Sequence, residues 1–169
     1  MNRTAPMLPE DDVRETPPEL FADLDARFHF DLDACATHSN AKCVVYFTED
    51  GQFGQTHDGP VLISPETGLT GSWQGRRVWC NPPFSNIGEW VAKAWDSRAD
   101  LVVMLVPATR TEQGWWQDLV EPFREEPATG WYLRVEFLRG RTRFLRDGVR
   151  MGSPKFGCAL LVFRRNEVK

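Results

Sequence analysis

The chain has 169 residues, 41% of them hydrophobic and 26% charged, with a formal net charge of −4, the ordinary balance of one soluble globular domain with a sizeable core. No stretch approaches the length of an apolar membrane span and the N-terminus MNRTAPMLPEDD lacks a signal-like apolar core, so no membrane partner and a cytoplasmic location are expected. The charge is uneven: residues 131–169 carry 10 Lys/Arg against 3 Asp/Glu, a net +7, while the remainder carries −11, and a local cationic surface suffices for phosphate contacts.

Residues 1–15 are polar, acidic and proline-containing, so a poorly ordered arm is expected ahead of a single domain over 16–169. Thr16-Pro17-Pro18-Glu19 joins a capping residue, proline at the first helical position and an acid three places after the cap, which predicts a helix to about Arg27. Leu20, Phe21, Leu24 and Phe28 form its apolar face. Phe30 to Ala36, FDLDACA, predicts a strand that opens into a turn of small side chains at Asp33 and Ala34, the place where open α/β sheets bind ligands. There a carboxylate can take an ammonium or hydroxyl, or cap the turn. No G-x-G-x-x-G follows, so nothing supports a dinucleotide. Lys42 to Phe47, KCVVYF, is a second strand, followed by the acids Glu49 and Asp50. Residues 51–68 are dense in Gly and Pro and read as loop, with Val61 to Ile63 as a short extra strand at most. Cys35, Cys43, Cys80 and Cys158 form no C-x-x-C pair, and Cys35, His38 and Cys43 lack a fourth ligand at recognisable spacing, so buried thiols are expected and no metal.

Val78-Trp79-Cys80 predicts a buried strand that must end at Asn81, because Pro82 and Pro83 cannot continue a ladder. The prolines fix their own φ angles and have no N–H, which turns the carbonyls of Asn81 and Pro82 outward beside the Asn81 amide and the ring of Phe84. Two oxygen acceptors and a flat ring match an exocyclic amino group on a planar base. A proline-stiffened turn would use the same residues.

Ile87, Trp90, Val91, Ala94 and Trp95 have helical spacing with Ser85 or Asn86 as cap. Leu101 to Val106 is continuously apolar and ends at Pro107, the mark of a strand covered on both faces. A polar loop with Arg110 precedes a helix from Gly114 that carries Leu119, Val120 and Phe123. Val135 to Leu138 and Arg143 to Leu145 predict a hairpin around Arg139-Gly140-Arg141, which would set most of Arg139, Arg141, Arg143 and Arg146 on one side. After an irregular loop over 147–157, Cys158 to Phe163 is the last buried strand. The order predicts an α/β fold: a mostly parallel sheet with an antiparallel C-terminal hairpin and helices on both faces.

TPPELFADLDARFHFDLDACATHSNAKCVVYF, RRVWCNPPFSNIGEWVAKA, VVMLVPATRTEQGWW, FLRGRTRF and FGCALLVF together resemble, in the same sequence, phage-type DNA N6-adenine methyltransferases over about residues 16–163. The resemblance implies a Rossmann-like methyltransferase fold and S-adenosylmethionine as methyl donor. It places Asp33, Ala34 and the Thr16-Pro17 turn on the cofactor side and Asn81, Pro82, Pro83 and Phe84 at the adenine. Double-stranded DNA is the implied partner, held by Arg110, Arg139, Arg141, Arg143 and Arg146 around a flipped base, in the cytoplasm of a bacterial or phage-infected cell, by a monomer or weak dimer. One stretch departs from the family: residues 51–66 lengthen a connection that is short there, and Thr67 stands where an acid is expected. Asp50 and Glu66 both remain candidates for the cofactor ribose. Two other readings fit fewer features. A methyltransferase acting on a protein glutamine or another amide needs no cationic tail, and a non-catalytic DNA-binding module needs no acceptor cluster at a strand tip.

Overall fold

Helix α1 (Pro18–Phe28) starts two residues after the expected cap: its N-cap is Pro17, with no side-chain capping bond. Thr16 is instead buried, and Glu19 turns away to an ion pair with Arg150 at 2.8 Å. These positions come from a computed structural model that describes residues 12, 14–125, 127–128 and 130–165. Most of the expected arm therefore lies outside the described residues. The apolar side of α1 buries Leu24 and Phe28, and a two-pronged bond from Arg27 to Glu136, 2.6 Å on each side, fastens its end to a distant strand.

In chain order the strands are β1 (Leu32–Asp33), β2 (Val45–Phe47), β3 (Gln52–Thr56), β4 (Gly59–Ser64) and β5 (Arg77–Cys80). A 3-10 turn, Phe84–Asn86, leads into α2 (Ile87–Asp96); β6 (Leu101–Pro107) and α3 (Gly114–Leu119) follow. The C-terminal part holds β7 (Pro127–Ala128), β8 (Trp131–Phe137), β9 (Leu145–Arg146), β10 (Val149–Arg150) and β11 (Cys158–Arg165). One nine-stranded sheet has the order β4-β3-β2-β1-β5-β6-β11-β8-β7, and β9 with β10 forms a separate pair. The central strands β2, β1, β5 and β6 are parallel.

Hydrophobicity sets this order. Every residue of β6 is buried, so the strand needs neighbours on both edges and cover on both faces. The other long apolar run, β11, supplies one edge, with Leu160 opposite Leu105 and Val162 opposite Val103. Beyond it β8 alternates up to its end, Trp131, Leu133 and Val135 buried and Tyr132, Arg134 and Glu136 half-buried or exposed between them, the period-2 pattern of a strand with one solvated face.

Three expectations are corrected. The hairpin around Arg139-Gly140-Arg141 does not form: β8 pairs antiparallel with β11, while Leu145 and Arg146 pair with Arg150 and Val149. The run 158–163 outcompetes 143–145 because it is apolar on both faces, and Gly140, at φ 75°, bends the chain out of the sheet. Residues 52–64 are an antiparallel hairpin and not a loop with at most the short strand Val61 to Ile63: that strand is present within β4, and β3 pairs with it and extends the sheet past β2. The strand over 30–36 shrinks to two residues, although the N–H groups of Asp31 and Ala34 still donate to Arg77 and Trp79 carbonyls, each at 2.9 Å.

Because β2, β1, β5 and β6 run the same way, their ends at Phe47, Asp33, Cys80 and Pro107 share one edge of the sheet. Gly68 holds part of that edge together. Its carbonyl accepts the indole N–H of buried Trp73 at 2.9 Å, and a Cβ built on it would lie 2.1 Å from the Ala34 carbonyl oxygen. Gly68→Ala must push the Ala34 turn away, and is expected to cost about 1–3 kcal/mol. Urea unfolding midpoints check this; a change within about 0.5 kcal/mol, the range of an ordinary surface substitution, would show that the turn yields freely.

Candidate active site

β5 ends at Cys80, and the next side chain, Asn81, is held by the segment that precedes α1. Its Nδ2 donates to the Arg14 carbonyl at 2.7 Å and to Thr16 Oγ1 at 3.1 Å. A carbonyl can only accept, so it forces the NH2 end toward the N-terminal segment. The other end, Oδ1, is buried and has no hydrogen-bond partner among the described residues. Such an orphaned acceptor costs about 1–3 kcal/mol, and it is left free to accept from a further donor. Pro82 is buried, Pro83 takes φ −57° and ψ 130°, and the 3-10 turn starts at Phe84.

Arg14, Thr16, Asp33, Lys42, Trp79 and Asn81 are among the residues around a cavity of about 20 Å³, the room of a single water. Asp33, 2% exposed, accepts the Cys35 N–H on Oδ1 at 3.2 Å and the Lys42 N–H on Oδ2 at 3.0 Å. It thus caps its own turn while facing the cavity. Burial pushes its pKa up to about 6, against the lowering effect of those two N–H groups and the Lys42 charge. Ala34 is buried next to it and donates to the Trp79 carbonyl. Burial also raises the thiols of Cys35, Cys43 and Cys80, so none is an activated nucleophile. Among the described residues no cluster of three His, Cys, Asp or Glu side chains is placed to hold a metal ion.

Asp50 and Glu66 are both exposed and line no part of that cavity. Asp50 closes a turn through its N–H to Thr48 Oγ1 at 3.1 Å, and Glu66 accepts from Ser64 Oγ at 3.3 Å. After Asp33 itself, the acids whose charges reach Cys35 are Glu49 and Asp12, and of these Glu49 closely follows β2. Its place just beyond the tip of β2 was the signal that could have singled it out.

Phe84 departs from the expected open stacking surface: its residue is 4% exposed. Phe144 and Phe156 meet the ring edge-to-face at centroid distances of 6.0 and 5.9 Å, and the guanidiniums of Arg14 and Arg110 lie 5.2 and 6.0 Å from its centre. Arg110 also donates to the Phe84 carbonyl, which makes it a brace of the Asn-Pro-Pro-Phe segment. Of the remaining arginines, Arg139, Arg141 and Arg143 line a groove of about 340 Å³ with Pro17, Leu20 and Arg150. Arg150 was not anticipated, and Pro17 belongs to this groove and not to the cavity at Asp33. Arg141 donates to the Pro154 carbonyl at 2.9 Å. Arg146 lies on β9 and does not line the groove.

The sequence model of a family described as DNA N-6-adenine-methyltransferase (Dam) matches residues 4–167. A DNA N-6-adenine-methyltransferase of Escherichia phage T1 is 29% identical over 165 residues, covering 86% of this chain and 61% of that protein. Another, of Haemophilus phage HP1 (strain HP1c1), is 35% identical over 65 residues, covering 38% and 29%. The chain thus spans about three fifths of the T1 protein's length and less of the HP1 protein's.

The buried Asp33 carboxyl carries a sign that can be checked. Its folded pKa lies near 6, above the 3.8 of an unperturbed aspartate, so the stability it contributes is present in full below the unfolded value and lost as pH rises through the folded one. Relative to Asp33→Asn, the wild type is expected to lose about 2 kcal/mol between pH 4 and pH 7. Urea unfolding of both proteins across that range measures the difference; a flat difference would mean that the carboxylate is solvated.

Proposed function

The chain belongs to the DNA N-6-adenine-methyltransferase family, and from this premise we propose that it transfers a methyl group from S-adenosylmethionine to N6 of an adenine flipped out of double-stranded DNA. The observation that carries the proposal is the Asn81 amide, both of whose hydrogens are held by the chain while its buried oxygen is left to accept. An adenine amine is a poor nucleophile because its lone pair is delocalised into the purine. If Asn81 Oδ1 and the Pro82 carbonyl accept its two hydrogens, the nitrogen is drawn toward tetrahedral geometry and the lone pair is released. Positioning then does most of the catalysis. No strong base is needed beforehand, since the proton leaves only once the nitrogen is cationic, and the fixed oxygen dipoles oppose that charge as it develops.

The cofactor, when bound, supplies an electrophilic methyl on a sulfonium. The donor set at Asp33 fits it: a desolvated carboxylate in a water-sized cavity suits a small cation such as the ammonium of a methionine moiety. Asp33 and Ala34 would hold that end, with Thr16 on the same cavity. The acids beyond β2 and β4, namely Glu49, Asp50 and Glu66, would receive ribose hydroxyls. We read the parallel strands β2-β1-β5-β6 as the centre of a Rossmann-like methyltransferase fold, whose ligands sit at the carboxyl ends of its strands.

Reaching N6 from a duplex requires flipping, at a cost of a few kcal/mol of unstacking. Phosphate contacts from Arg139, Arg141, Arg143 and Arg150 around their groove would offset this, with Arg146 beside them on β9. Arg110 would act from the other side by bracing Phe84.

Two outcomes are expected. Asn81→Ala should lower transfer of labelled methyl into duplex DNA by about 100-fold or more while cofactor and DNA binding persist; loss of both bindings would make Asn81 structural, and label entering protein instead of DNA would identify an amide substrate. Titration calorimetry should find affinity for S-adenosylmethionine falling as pH drops below the Asp33 pKa of about 6, by about tenfold per unit. Asp33→Asn should abolish that slope, and a slope that persists in the variant would place the ammonium elsewhere.

A further inference from the structure

We infer that Thr16 is a positioning residue for methyl transfer: beside the Arg14 carbonyl, which sets the orientation, its hydroxyl holds the NH2 end of the Asn81 amide in place so that Oδ1 stays facing the substrate amine. The inference rests on the reading of Asn81 as the acceptor for N6. A primary amide is nearly symmetric in shape, and a half-turn about χ2 exchanges its oxygen for its NH2 at little steric cost. For this chemistry the exchange is fatal, because an NH2 set against the adenine NH2 opposes donor to donor. What decides the orientation is therefore whatever holds the far end of the amide.

Two acceptors do so, the Arg14 carbonyl at 2.7 Å and Thr16 Oγ1 at 3.1 Å. Between them Glu15 is clamped to Leu145 by two backbone hydrogen bonds of 2.9 and 3.0 Å, which fixes the register of the segment against the small β9–β10 sheet. Thr16 is 3% exposed, so no bulk water competes for its oxygen, and a turned amide would place Oδ1 against the Arg14 carbonyl. The same threonine opens the Thr-Pro-Pro-Glu run that reads as a helix cap, yet α1 makes no side-chain cap bond. Its hydroxyl is spent on Asn81 instead.

The test uses the full chain with duplex DNA and S-adenosylmethionine. Thr16→Val keeps the shape of the side chain and removes the acceptor. Its single-turnover methylation rate at saturating cofactor and DNA is expected to fall about tenfold, the scale of one lost hydrogen bond. The dissociation constants for cofactor and DNA should stay within about threefold, and Thr16→Ser should recover most of the rate. In heteronuclear NMR the side-chain NH2 pair, assigned through its disappearance in Asn81→Ala, should move in Thr16→Val and return in Thr16→Ser. A normal saturated rate in Thr16→Val overturns the inference, whether cofactor affinity holds or falls; a fall would show that the hydroxyl serves the cofactor instead. Should Thr16→Val not fold, Thr16→Ala is read by the same criteria. Asn81→Ala run alongside separates the two readings: if it is inactive while Thr16→Val is fully active, only the role of Thr16 fails, and if it is active the reading of Asn81 fails with it.

Discussion

The hydrogen bonds from Asn81 Nδ2 to the Arg14 carbonyl and the Thr16 hydroxyl join the tip of a central strand to a segment 65 or more positions earlier in the chain. Other contacts gather at the same junction. The Asp12 carboxylate takes the N–H and hydroxyl of Ser85, Glu15 bridges to Leu145, and Glu19 pairs with Arg150. The approach to α1 is thus a strap that touches the Asn-Pro-Pro-Phe corner on one side and the β9–β10 sheet on the other. Since Arg150 and its neighbours around the groove are carried by that C-terminal part, the strap sets the distance between the proposed chemistry and the proposed phosphate contacts.

Such a corner is costly to keep. An unsatisfied buried carbonyl oxygen and a desolvated carboxylate within one cavity each work against folding by a few kcal/mol, a sizeable share of a total stability of about 5–15 kcal/mol. The offset lies in the sheet beneath, where β6 and the first six residues of β11 are wholly buried and Trp73, Trp79 and Phe28 are among the largest fully buried side chains. Polar strain is tolerated at a strand tip when the strand behind it cannot move. The local rules fail at the site and hold in the core, as expected where a chain keeps groups for a ligand.

What could be read from the sequence divides along the same line. The buried strands β6 and β11, the amphipathic α2 and the proline-ended β5 each announce themselves by local pattern, and so does the polar tip at Asn81. The β3–β4 hairpin was hidden because its apolar residues Val61, Leu62 and Ile63 are 51%, 55% and 56% exposed, so neither burial nor alternation marks them, and its glycines and proline imitate a loop. Thr16 was misassigned because a capping signature and a buried hydroxyl look alike until the helix is seen to begin at Pro18. Phe84 was misjudged because its cover comes from Phe144 and Phe156, whose approach depends on long-range topology that no local window contains.

The enclosure of Phe84 shifts the electrostatic argument. A ring with two guanidiniums at 5.2 and 6.0 Å from its centre already has cations within cation–π range, and their charge opposes a further cation beside it. On the proposed reading, charge developing on a substrate nitrogen gains little from that ring. It would be met by oxygen dipoles instead, chiefly Asn81 Oδ1, which is buried and has no hydrogen-bond partner among the described residues. Phe84 then matters as a strut: packed by two phenylalanines and tied through its carbonyl to Arg110, it fixes where the proline corner points. The aromatic residue of the motif and its amide thus divide the work, one holding the geometry and the other accepting the hydrogen bond, and the arginines that cover the ring belong to the scaffold.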